Sequence, residues 1–296
     1  MSAFERIVVG VDGLEGGRDA LALAALLQAT GGGELVAVYA YSYDRTVSLD
    51  EAEHVEAGLL EQLRERLGRE LEHAGVHARL TVVCGASPAR ALQATAERER
   101  AGVLVVGSTH RARGGRVLAG DITTATMRGA RCPVAVAPRG FAHVRARLRR
   151  IGAGVDGSPE SRAALRLAER LARAADAPVR ALVAITPTDG AGGAVSSCAT
   201  LRRAAQLLDT AGAKLGSDVT GEIVPGQPGP ALAKRSRELD LLVVGSRGHG
   251  PVRRALLGST SAHLVQAAAC PLVVVPRHAA SQPARTRALP ADAVAR

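Results

Sequence analysis

Short apolar runs alternate along this chain with longer stretches whose apolar residues recur at helical spacing. Residues 6–13, RIVVGVDG, read as a buried strand closing at Asp12-Gly13. A helix follows over 17–30, with Leu21, Ala24 and Ala25 on its apolar side. Residues 35–41 are a second strand. Residues 50–74 carry dense Glu and Arg with apolar beats at Leu59, Leu60, Leu63, Leu67 and Leu71, a long amphipathic helix. The pattern then predicts a strand at 80–83, a turn at 85–88, a helix at 89–100 and a strand at 103–106. A loop at 107–120, a helix at 123–131 and a strand at 134–137 complete it. Strands that are short, apolar throughout and separated by helices form a parallel sheet covered on both faces. Right-handed crossovers make it doubly wound. Ligands of such sheets bind beyond the carboxyl ends of the strands. Asp12, Gly107 and Gly120 fall at that edge.

The pattern then repeats. Ile151 to Gly157 matches Ile7 to Gly13 at an offset of 144, and Gly245 to Arg277 matches Gly107 to Arg139 at an offset of 138 without a gap. Ser158 reads as a helix N-cap with Pro159 at the first helical position. Thr186 to Ser197 reads as a Gly-rich loop, and Leu201 to Leu215 as an amphipathic helix. The expected fold class is α/β, with two doubly wound modules, each a five-stranded parallel sheet flanked by helices. The modules span 1–140 and 150–278. Residues 141–149 are a linker and 279–296, rich in Pro, Ala and Arg, a disordered tail. The linker and its flank carry Arg145, Arg147, Arg149 and Arg150, which read as a solvated segment in preference to a nucleic-acid arm.

Composition changes this picture little. A length of 296 residues suits two domains, and 47% hydrophobic residues with almost no aromatics mean aliphatic cores. No apolar run reaches the length of a membrane span, and no signal peptide is expected ahead of the first strand. Cys84, Cys132, Cys198 and Cys270 form no C-x-x-C pair, and small buried thiols in a reduced cytoplasm explain them. The net charge of +10, nearly all from Arg, gives a general attraction to anions. Aromatic platforms for bases are missing, so no specific nucleic-acid partner is expected.

The chemistry gathers at Gly245 to Ser261, GSRGHGPVRRALLGSTS. An apolar run leads in, and a small-residue helix leads out. Glycines let backbone approach a ligand, and a helix start offers unpaired N–H groups to an anion. Arg247, Arg253 and Arg254 add positive charge. The physical reading is a phosphate cradle; the plain alternative is an ordinary strand-to-helix turn with Ser/Thr capping.

Gly245, Gly248, Gly258 and Ser259 spell G-x2-G-x9-G-[ST], which resembles the nucleotide-binding signature of the universal stress protein family. A first strand ending at Asp156, a fourth strand preceded by Asp240 and ending in Gly245, and a last strand after Cys270-Pro271 strengthen the resemblance. It covers about the whole chain, as two modules. It implies an adenine-nucleotide α-hydrolase-like fold and ATP as ligand, with or without Mg2+. It places Asp156 by the ribose or a metal ion, and Ile185 against adenine with Val244 nearby. Gly245, Arg247 and Gly248 then line the ribose and phosphate side, and Gly258, Ser259, Thr260 and Ser261 hold the phosphates. Asp12, Gly107 and Gly120 are the weaker first-half counterparts. The plain reading of Asp156 is a turn residue accepting backbone N–H bonds. As in dimers of single modules, the two halves are expected to pair through Val134–Ala137 and Leu272–Val275.

The first half departs twice. His110 stands at the second glycine, and Asp121 at the serine. A carboxylate about 4 Å from a phosphate charge repels it by roughly 1–4 kcal/mol. One competent site per chain is therefore expected, in the second half. Gly152, Gly154 and Gly157 fit G-x-G-x-x-G, but Gly154 lies inside a strand, so the match is set aside. Walker A, H-E-x-x-H and G-x-S-x-G are absent, and no general base has an orienting partner. A nucleotide-dependent stress or signalling factor, with an unidentified partner protein and slow ATP turnover at most, is the leading expectation. A hydrolase or adenylyl-transferring relative, and a basic regulatory binder without nucleotide, are its rivals. A homodimer is open.

Overall fold

The computed structural model describes residues 2–42, 49–109, 115–186, 188–190, 193–195, 198–215, 219–246 and 257–280. The first half runs β1 (Arg6–Val11), α1 (Glu15–Gly31), β2 (Glu34–Ser42), α2 (Leu49–His73), β3 (Arg79–Gly85), α3 (Pro88–Arg98), β4 (Val103–Gly107), α4 (Asp121–Gly129) and β5 (Val134–Ala137). The second runs β6 (Ile151–Gly154), α5 (Pro159–Ala175), β7 (Val179–Ile185), β8 (Thr188–Gly190), β9 (Gly193–Val195) and α6 (Cys198–Leu215). It continues with β10 (Val219–Pro225), α7 (Pro228–Arg235), β11 (Leu241–Gly245), α8 (Ser259–Ala267), β12 (Leu272–Val275) and α9 (Arg277–Ala280).

Ten of the strands form one sheet in the order β10-β7-β6-β11-β12-β5-β4-β1-β2-β3. Within each half every neighbouring pair is parallel. The halves join where β12 meets β5 antiparallel, with Val273 opposite Ala135. The expected pairing of the last strands is therefore present. Because the joint is antiparallel, the carboxyl ends of the two halves' strands point to opposite edges of the sheet.

Alternation sorts the strand residues onto two faces. Val103 and Val105 of β4, with Leu241 and Val243 of β11, face one core, covered by α1, α2, α5 and α6. Leu104, Val106, Leu242 and Val244 face the other, covered by α3, α4, α7 and α8. Both cores run across the joint. On the first face Leu23 and Leu27 of α1 share a cluster with Leu167 and Leu171 of α5.

Three local expectations change. The stretch 186–197 is not wholly loop: β8 and β9 pair antiparallel, Thr188 opposite Val195 and Gly190 opposite Gly193. Two residues separate them, the length commonest in hairpins. The linker's arginines are exposed, as expected of a solvated segment, but the segment is also anchored. Phe141 and Leu148 are buried, and the buried Asp19 of α1 accepts the N–H groups of Gly140 and Ala142, both at 2.8 Å. At its far end Asp240 accepts the N–H groups of Arg149 and Arg150 at 2.9 Å. Of the expected tail, Ala279 and Ala280 close α9, and residues 281–296 lie outside the described residues.

Candidate functional site

Strand order reverses between β1 and β4 in the first half and between β6 and β11 in the second. A crevice opens at the carboxyl ends of strands flanking such a reversal. Asp12 follows β1 and Gly107 ends β4; Asp156 follows β6 and Gly245 ends β11.

The two strand-ending glycines have a packing reason. A Cβ on Gly245 would lie 2.9 Å from the Ser161 nitrogen and 2.8 Å from the Glu160 Cβ, in the first turn of α5. A Cβ on Gly107 would lie 2.1 Å from the Gly16 oxygen in α1. The helix after the first strand thus sits directly on the end of the fourth, in both halves.

The aspartates hold the turns before those helices. Asp12 Oδ1 accepts from the N–H of Leu14 at 2.9 Å and of Gly17 at 3.1 Å. Asp156 Oδ1 accepts from Ser158 N–H at 2.9 Å. Capping of α5 rests on Ser158, whose Oγ accepts from Ser161 N–H at 3.1 Å, with Pro159 opening the helix as expected. Among the described residues both aspartates take the plain turn role.

Ile185 and Val244 are not brought together. Both are buried, but Ile185 belongs to the core on the α5 and α6 face, and Val244 to the core on the α7 and α8 face. Strand parity decides this: Gly245, one residue on from Val244, shares the face of Ile185.

Helix α8 begins beside the end of β11. Gly258 is its N-cap, in extended conformation, and no side chain caps it. Gly258 N–H donates to Ser246 O at 2.7 Å, which ties the helix start to the strand exit. Ser259 is exposed and Thr260 half-buried. Ser261 is buried, and its hydroxyl lies 2.9 Å from Ser246 O and 3.1 Å from Gly258 O. Its one proton serves the backbone here. In α4 the equivalent Thr123 donates to Gly107 O at 2.9 Å. Arg247 and Gly248, with His249, Arg253 and Arg254, lie outside the described residues, as do His110, Arg111 and Arg113.

Helix α4 has the same opening, with Gly120 as an N-cap without a side-chain cap, but its first turn carries the exposed Asp121. The segment before it is committed elsewhere. Val117 N–H donates to Ala268 O and Ala119 N–H to Val265 O, both at 2.8 Å, and Arg116 Nη1 lies 3.3 Å from Ala267 O. These groups satisfy carbonyls at the C-terminal end of α8, where an arginine also suits the helix dipole. The sequence reading did not find this contact. Its one signal is that the loop kept its length to the residue while its glycine and serine changed.

Cys270 is buried and Cys132 partly so; burial pushes the Cys270 thiol up and the Cys132 thiol up to about 12, so both stay protonated. With the exposed Cys84 they are free cysteines. Among the described residues no three His, Cys, Asp or Glu side chains gather as a metal site, and no helix is long and apolar enough to cross a membrane.

The sequence matches the profile of the universal stress protein family twice, over residues 3–138 and 147–276. A universal stress protein of Mycolicibacterium smegmatis is 36% identical over 150 residues, which is 46% of this chain and 50% of that one. One from Mycobacterium tuberculosis is 41% identical over 78 residues, 26% of this chain and 24% of that relative. The matched stretches thus span half or less of these curated relatives. Among solved structures, a universal stress protein of Archaeoglobus fulgidus superposes with a TM-score of 0.72 at 18% identity, covering 92% of this chain and 98% of that one. Two family matches that together take in both cores and both strand-order reversals leave one conclusion: the chain belongs to the universal stress protein family.

Proposed function

We propose that the second module binds ATP at the start of α8 and that the protein works as a nucleotide-dependent stress-response or signalling factor. The carrying observation is the first turn of α8. It lies beside the exit of β11, is capped by a glycine without a side chain, bears no acid and presents the exposed Ser259. Unpaired N–H groups and the positive end of a helix dipole favour a phosphate there. In this reading Asp156, at the neighbouring strand end, meets the ribose or a Mg2+ ion carried in with the phosphates. The modules are taken as 1–140 and 150–278, and the setting as cytoplasmic.

The first module does not bind nucleotide in this reading. Asp121 puts a carboxylate into the turn that would meet phosphate. No residue is assigned a catalytic role, which leaves slow hydrolysis as the most the site supports.

Calorimetric titration of the full chain with ATP tests this. The expected result is a stoichiometry near one per chain, with a melting point that rises as ATP is added. Two equal sites, or no binding at millimolar ATP, would overturn it.

A further inference from the structure

A second feature lies at the opposite edge of the sheet from Asp156 and Gly258. Between the end of β5, the linker and the starts of β11 and β12 runs a cleft of about 880 Å³. Arg139, Arg145, Arg147, Arg149 and Arg150 line it, against one carboxylate, Asp240. That carboxylate is already held by the backbone of Arg149 and Arg150 and by the Arg150 guanidinium at 3.0 Å. Arg139 pairs with Glu15 at 3.2 Å. Arg145, Arg147 and Arg149 have no ion pair among the described residues.

The three occupy alternate positions. Leu148 turns into the core and Ala146 is half-buried, while Arg145, Arg147 and Arg149 are exposed. The anchors at Asp19 and Asp240 fix both ends of the segment that carries them. The result is a row of guanidinium groups on a pinned strap, along a concave wall that concentrates positive potential. Guanidinium forks match phosphate oxygens in pairs. A row whose one nearby acid is already held suits an extended anion charged at every unit more than a single phosphate.

Other occupants fit less well. The chain's own residues 281–296 carry Arg285, Arg287 and Arg296 against Asp292, so they are repelled, as is a second copy of a chain of net charge +10. Single-stranded nucleic acid would need faces on which bases stack, and the one aromatic in the lining, Phe141, is buried.

We propose that this inter-module cleft binds a linear chain of inorganic phosphate, through Arg145, Arg147 and Arg149. The test is binding of inorganic polyphosphate, about fifteen units long, to the full chain over a range of salt. Substituting all three arginines by Gln is expected to weaken binding at least tenfold and to flatten the salt dependence by about two ions. A control of equal charge change, Arg90→Gln with Arg98→Gln and Arg128→Gln on the exposed surface of the first module, is expected to stay within twofold of the parent. Equal losses in the two triple variants would reduce the effect to net charge and overturn the proposal. So would binding of oligo-dT or polyglutamate of the same length as tightly as polyphosphate. Ser259→Asp is expected to leave polyphosphate binding unchanged; its loss would place the anion at α8 and overturn the separate cleft.

Discussion

Helices α4 and α8 open alike and differ where a ligand would touch them. Each starts behind a glycine cap, and each sends the hydroxyl of its third residue, Thr123 or Ser261, back to the exit of the neighbouring strand. Each fourth strand ends in a glycine that the helix after the first strand presses against, Gly107 under α1 or Gly245 under α5. These features recur in both modules, so they answer to packing. The first residue of the helix does not recur: Asp121 in one, Ser259 in the other, both exposed. A repeat within one chain thus separates the part of the signature that builds the turn from the part that faces outward. The segment before α4 also caps the far end of α8.

The largest expected effect comes from moving that one residue. Ser259→Asp places a carboxylate where a phosphate would sit. Repulsion of about 1–4 kcal/mol corresponds to a loss of ATP affinity from about fivefold to several hundredfold. An acid in the first turn suits the helix dipole, so the melting point without ligand should hold or rise slightly. Titration and thermal melting of the same variant therefore separate lost binding from lost fold. Unchanged affinity would break the comparison, since α4 and α8 would then be equivalent as anion sites.

A smaller effect is expected at Asp19, which has no acidic counterpart in α5. Asp19→Asn keeps one acceptor but turns an amide donor toward the N–H of Gly140 or Ala142. Such a loss in a buried site costs about 1–3 kcal/mol. Denaturant melts should show it, and proteolysis within 140–150 should quicken as the strap loosens. A cost below about 0.5 kcal/mol would mean that Phe141 and Leu148 hold the linker without the carboxylate.

What the sequence disclosed follows from how local each cause is. Strand β5 and the Ser158-Pro159 helix start are written in consecutive residues, whereas the pairing of β12 with β5 comes from the family resemblance. Strand β10 is an edge strand with Thr220 and Gly221 exposed and Glu222 half-buried, so it carries no long apolar run. Helix α7 opens on Pro228-Gly229-Pro230, which reads as a breaker, yet Gly229 is what lets α7 approach His263 of α8: a Cβ there would lie 2.8 Å from the His263 Cβ. The separation of Ile185 from Val244 depends on which face each strand residue takes, and spacing along the chain does not carry that. The grip of Asp19 on Gly140 spans 121 positions, with no local pattern at either end.

The smallest effect lies at the amino ends of the first module's strands, where Glu99 takes Arg6 at 3.1 Å and Arg79 at 2.8 Å. The second module has a different arrangement at its own such edge, with Arg235 between Glu222 and Glu238. The hydrogen bond from Arg79, and then the charges of Arg79 and Arg6, hold the Glu99 carboxyl below its usual range against the opposing effect of burial. A carboxyl whose pKa is lowered by folding stabilises the fold above its unfolded value, and that stability is lost as pH falls through the folded value. Glu99→Gln should therefore cost little near neutrality, about 1 kcal/mol or less, because both arginines are partly exposed and screened by solvent. The same variant should lose less than the parent as pH drops below the ordinary carboxylate range. Acid melts of parent and variant should converge at low pH; parallel curves would show that Glu99 is paired in name only and that the two amino-terminal edges respond to acid alike.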